Sequence, residues 1–161
     1  MILGMSISAF TLLHVIISLV GIASGLVAIL ALIGNRLLGG MTAIFLITTA
    51  LTSLTGFLFP NKTITPGIVL GILSMIALLL AFIALYGKKL AGGWRGTYVI
   101  TATLALWFNV FVLFAQSFAK ISVLHDLAPT QASPVFGITQ LVVLVLFIFI
   151  GIRAFRKFRP A

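Results

Sequence analysis

Long apolar runs broken by short clusters of Gly, Pro, Asn and basic residues set the pattern of this chain. The runs fall at 12–33, 41–59, 68–86, 97–118 and 136–152. The breaks between them are Gly34-Asn35-Arg36 with Gly39-Gly40, Pro60-Asn61-Lys62 with Pro66-Gly67, and a basic stretch holding Lys88, Lys89, Gly92-Gly93 and Arg95. Such dipeptides and clusters punctuate helices. Each run is continuous rather than alternating between apolar and polar, which predicts helices and argues against barrel strands. A helix needs about 20 apolar residues to cross a hydrocarbon core of roughly 30 Å. Backbone in that core has to satisfy its own hydrogen bonds. The expected fold class is therefore all-α, a membrane-embedded bundle of five transmembrane helices forming a single domain over 1–161, with four or six spans as the alternative counts. The last run is short, and Arg153 can lengthen it by reaching the interface with its head group.

Composition strengthens this picture. Of 161 residues, 62% are hydrophobic and only 7% charged, with a mean hydropathy of +1.36. A soluble chain carries roughly 25% charged residues, so the solvent here is lipid. The formal charge of +9 would suit nucleic acid on a soluble surface. Here the basic residues sit beside the predicted spans, where they meet lipid head groups, and no nucleic-acid partner is expected. Cysteine is absent, which excludes disulfides, thiolate metal sites and thiol redox chemistry. The first ten residues hold no basic side chain, so they lack the start of a secretory signal, and the first span is expected to remain in the mature protein.

Basic residues also predict orientation. Arg36, Lys88, Lys89, Arg95, Arg153, Arg156, Lys157 and Arg159 fall on one side of a five-span bundle, whereas Lys62 and Lys120 fall on the other. Positive residues stay inside. This places the N-terminus outside and the C-terminus inside, with the larger set as inner-face anchors. Tyr86, Trp94 and Tyr98 cluster at the expected inner boundary, where amphipathic rings prefer to sit.

Within the spans, small and hydrogen-bonding residues mark faces that meet other helices. His14, Ser18, Gly21, Gly25 and Ala28 recur at helical spacing on the first span, and Gly21 and Gly25 let another backbone approach. Ala102, Ala105, Asn109, Val112 and Gln116 do the same on the fourth, with Asn109 near mid-membrane. On the second span Thr48, Thr52 and Thr55 share one face and Thr49, Ser53 and Gly56 the next. Hydroxyls of this kind readily bond back to their own helix.

Depth along the spans suggests a site. His14, Thr55, Gln116 and Gln140 all fall about one turn inside the outer boundary, and His14 is the only ionisable residue well within a span. Ionisable residues in a membrane are costly and often functional. The segment 119–136, the longest outside the spans, carries His125 and Asp126, the only carboxylate side chain. Folded over the others, these two would complete a polar pocket open to the outer side. The plainer alternative is that His14, Gln116 and Gln140 hydrogen-bond between helices, while His125 and Asp126 face water. His14 and His125, with Asp126, could also ligate a metal, or one histidine could ligate haem. Their separation in sequence matches no metal motif.

No phosphate-binding glycine loop, His-Glu-x-x-His motif, nucleophile elbow or intramembrane carboxylate is present, so no catalytic constellation is visible. Three functions remain: a non-catalytic accessory subunit or self-associating bundle, a haem-, tetrapyrrole- or metal-binding protein using His14 or His125, and a small transporter or permeation unit. Partners are then the lipid bilayer and other membrane subunits or a second copy, and the cofactor is unknown. The segment 94–140, with Asn109-Val110-Phe111-Val112-Leu113, Gln116, Leu127-Ala128-Pro129-Thr130-Gln131 and Gln140, resembles a group of small, uncharacterised multi-span integral membrane proteins of bacteria. The likeness extends more loosely to His14 and to Thr55-Gly56-Phe57-Leu58-Phe59-Pro60. It implies a bacterial origin and the cytoplasmic (inner) membrane, and nothing about mechanism.

Overall fold

A computed structural model describes residues 1–160. Among them the chain is all helical, with five helices long and apolar enough to cross a membrane. These are α1 (Ile7–Ile33), α2 (Gly39–Phe57), α3 (Pro66–Phe82), α4 (Trp94–Lys120) and α6 (Pro134–Lys157); a short α5 (Ser122–Leu127) joins the last two. A π-helical turn, Ile83–Gly87, extends α3.

The helices outrun several ends of the apolar stretches because capping, not hydrophobicity, ends them. Ser6 accepts a hydrogen bond from the Ala9 amide at 3.2 Å to start α1. Thr65 caps α3 and Pro66 occupies its first turn, where a missing N–H costs nothing. Pro134 does the same for α6. α1 ends at Gly34, and Asn35 takes the left-handed conformation (φ 56°) that asparagine tolerates. α6 continues past Ile152 through its basic last turn, and the Arg153 guanidinium lies 6.0 Å from the Phe149 ring centroid. The segment expected as an open loop contains α5, whose Leu124 packs with Ala128 against Phe118 and Phe136.

Helices α1, α2, α3 and α4 form a ring in chain order, closed by α1 against α4, and α6 lies outside it against α1 and α4. One face of the bundle carries the α1–α2 and α3–α4 connections and the C-terminal end of α6, and is the basic face. Packing is tightest towards it. Phe45, Leu32, Ile29, Val99, Leu106 and Tyr98 have no accessible surface. Tyr98 is therefore a core residue, not the boundary ring its sequence position suggested, because it lies on the α4 stripe that runs through Ala102 and Ala105 into the centre. Arg95 also does more than mark a boundary. Its Nη1 donates to the Phe155 and Phe158 carbonyls at 2.7 and 2.9 Å, satisfying the open end of α6. Asn35 Oδ1 accepts from the Arg159 amide at 2.7 Å and ties that end to α1. Lys88 lies 5.7 Å from the Trp94 ring centroid, while Arg36, Lys89, Arg156 and Lys157 are exposed at the same face.

Candidate functional site

Where α1 crosses its neighbours, glycine decides how close they come. A Cβ at Gly25 would lie 2.7 Å from Leu106 Cδ1 and 2.7 Å from Phe45 Cδ1. One at Gly21 would lie 3.1 and 3.3 Å from the Thr48 and Thr49 hydroxyls and 3.6 Å from the Asn109 amide nitrogen. At Gly25 a side chain would overlap both neighbours, whereas at Gly21 the threonine hydroxyls would have to give by a few tenths of an ångström, so the glycines let α1 sit close to its neighbours. Above this crossing, towards the face opposite the basic one, the ring of four helices does not close. It leaves a half-open cavity of about 630 Å³, within the usual size range of small-molecule sites. Below it, Gly25, Phe45 and Leu106 form an apolar floor. The result is a cup.

α4 supplies one wall through Asn109, Val112, Gln116 and Lys120. From Asn109 to Lys120 the helix rises about 16 Å at 1.5 Å per residue, which measures the depth. α1 supplies His14 and Ser18 opposite, α2 supplies Ser53, and α3 supplies Ser74. Phe59, on the α2–α3 connection, stands edge-on to the His14 ring at 5.3 Å between centroids and touches Phe10 at 5.1 Å.

The state of His14 follows from its partner. His14 Nδ1 lies 2.7 Å from Thr55 Oγ1, and that hydroxyl donates its single proton to the Leu51 carbonyl at 2.7 Å. Thr55 can then only accept, so Nδ1 carries the hydrogen and Nε2 is the nitrogen left free. Other hydroxyls on the walls are spent in the same way: Ser18 donates to the His14 carbonyl, Thr52 to Thr48 and Ser117 to Leu113. Asn109 Nδ2 reaches Thr49 at 3.4 Å, a long bond. No carboxylate lines the cup, and Lys120 is the one permanently charged side chain on its lining.

Of the expected polar pocket, the structure brings together His14, Thr55 and Gln116, and adds Asn109 beneath them. Gln140 is elsewhere. It is buried between α6 and α4, with Nε2 donating to the Phe111 carbonyl at 3.0 Å and Oε1 unpartnered. Phe111 and Gln116 are five positions apart, which at about 100° per residue puts them on different sides of α4. His125 and Asp126 are exposed on α5 and do not line the cup. Leu124 and Ala128 face the core there, which turns the intervening residues outward. Among the described residues no group of three or more metal-ligating side chains forms, so His14, His125 and Asp126 do not meet as a metal site.

Sequence reasoning missed Lys120, which it treated as an outer-face charge, and Ser74. Continuing the stripe Asn109–Val112–Gln116 by one more turn reaches Lys120. For Ser74 the one local signal was its place as the lone hydroxyl of an otherwise apolar helix. No family model matches the chain, and no curated protein or solved structure matches it.

Proposed function

We propose that this chain is a small multi-pass protein of the bacterial cytoplasmic membrane that binds a small amphiphile in its cup without transforming it, acting as a binding or accessory subunit. The observation that carries this reading is the cavity itself, about 630 Å³ walled by four helices with polar groups at mouth and base. A bundle whose polar residues served only helix association would bring those faces into contact, as the basic half does. The Gly25–Phe45–Leu106 contact closes the floor and argues against passage through the bundle. In the proposed orientation the N-terminus and the mouth of the cup face outward and the basic face lies in the cytoplasm, following the bias of Lys and Arg.

The test is to extract the protein gently with its own lipids, release bound molecules by denaturation and identify them by mass spectrometry. A defined small amphiphile is expected at near-stoichiometric amounts in the wild type and at much lower amounts in Gln116→Trp, whose indole would fill the mouth. Gln116 is exposed within the cavity, so the substitution leaves the core alone. Equal recovery from wild type and Gln116→Trp would overturn the reading. A visible absorption band lost in His14→Leu would assign the cup to a tetrapyrrole instead.

A further inference from the structure

We infer that the ligand of this cup carries an anionic oxygen group, a carboxylate or phosphate monoester, bound at the mouth by Lys120 and Gln116, and a neutral oxygen function bound at the base by Ser53, Ser74 and Asn109. The inference rests on the binding role proposed above and names its ligand class. Most wall hydroxyls already donate to their own helix carbonyls, and Asn61 gives one N–H to the Phe59 carbonyl, so the Lys120 ammonium and the Gln116 amide, one turn apart on α4, are the N–H donors of the mouth with no partner at all among the described residues. Neither makes a hydrogen bond within the described residues, and both are exposed where they line the cavity. The only fixed charge on the lining is positive.

Chemistry then excludes the alternatives at the mouth. A cation would meet Lys120 with no acidic group to offset it, since Asp126, the one acidic side chain, is exposed on α5. An anion gains a charge-assisted bond from Lys120 and a second bond from Gln116. It also favours a proton on His14 Nε2, turning that nitrogen into a further donor. The base differs. Ser53 and Ser74 are 7% and 4% exposed, line the cavity, and have no hydrogen-bond partner among the described residues. Their hydroxyls are therefore open to the cavity and unspent, and with Asn109 they suit a hydroxyl or carbonyl oxygen. Apolar walls such as Val112 and Leu113 separate the two ends.

The experiment measures binding of four probes to the full chain in phosphatidylcholine nanodiscs: decanoate, decyl phosphate, decanol and decyltrimethylammonium. Expected is binding of both anions at least about fivefold tighter than decanol, the scale of one partly exposed charge interaction, with the cation weakest. Lys120→Met should bring the anions to or below the level of decanol, whose hydroxyl can still reach the base, while decanol binding is unchanged, which also reports an intact fold. ω-Hydroxydecanoate should bind more tightly than decanoate, and Ser74→Ala should remove that gain alone. Repeating the decanoate titration in phosphatidylglycerol nanodiscs separates sources: weakened binding identifies a lipid head group as the natural anion, unchanged binding a free amphiphile. Equal affinity for decanol and decanoate, an anion preference that survives Lys120→Met, or no gain from the ω-hydroxyl overturns this inference and leaves the binding role standing. If none of the probes binds, decanol included, the binding role fails as well.

Discussion

Gly25→Ala tests the crossing that closes the cup. The added methyl would lie 2.7 Å from Leu106 Cδ1 and 2.7 and 2.9 Å from two carbons of the Phe45 ring. Optimal carbon–carbon separation is about 3.5–4.0 Å, so both neighbours must retreat by about 1 Å. Leu106 and Phe45 have no accessible surface, so neither can swing outward without displacing packed neighbours. Overpacking of this kind costs about 1–3 kcal/mol. The helix preference of alanine over glycine offsets up to about 1 kcal/mol of it. A second substitution removes that offset by comparison. Gly151→Ala is also within a helix, and its Cβ would meet only Thr103 Cγ2, at an ordinary 3.4 Å. The stability of Gly25→Ala relative to Gly151→Ala, measured by reversible denaturation in mixed micelles, should therefore be lower by about 1–3 kcal/mol. Equal stability of the two variants would refute the claim that α1 is seated tightly on α2 and α4, and with it the closed floor.

Other expectations follow from single contacts. Gln140→Leu should leave stability within about 1 kcal/mol of wild type or raise it, because it removes a buried, unpartnered Oε1 along with one bond; a large loss in the same denaturation assay would contradict this. Arg95→Gln should free the end of α6, seen as faster amide hydrogen exchange from Phe155 to Arg159 with the ring of helices unchanged; unaltered exchange would show that the two carbonyl bonds contribute nothing. Nitrogen NMR shifts should report His14 as the Nδ1–H tautomer, and Thr55→Val should abolish that preference. A predominant Nε2–H form in the wild type would mean that Thr55 donates to the ring rather than accepting from it.

The amino-acid pattern alone was enough for the solvent and the number of helices. Partition of an apolar run into hydrocarbon depends on local composition and length, and five helices of that kind appear where five runs stood. The stripes on α1 and α4 were legible for a similar reason, since helix periodicity alone places Gly21 with Gly25 and Asn109 with Gln116 on shared faces. What those faces meet was decided by the tertiary structure. Lipid supplies no hydrophobic drive between helices, so association follows steric fit among residues distant in sequence. Chemically equal amides thus part company, Gln116 lining the cup and Gln140 bonding the far side of α4. Tyr98 enters the core and His125 turns to solvent. Lys120 counts as one outer charge in a sequence; it becomes the charge of a cavity only because α1, tied closely to α4 at Gly21 and Gly25, leaves room above that crossing.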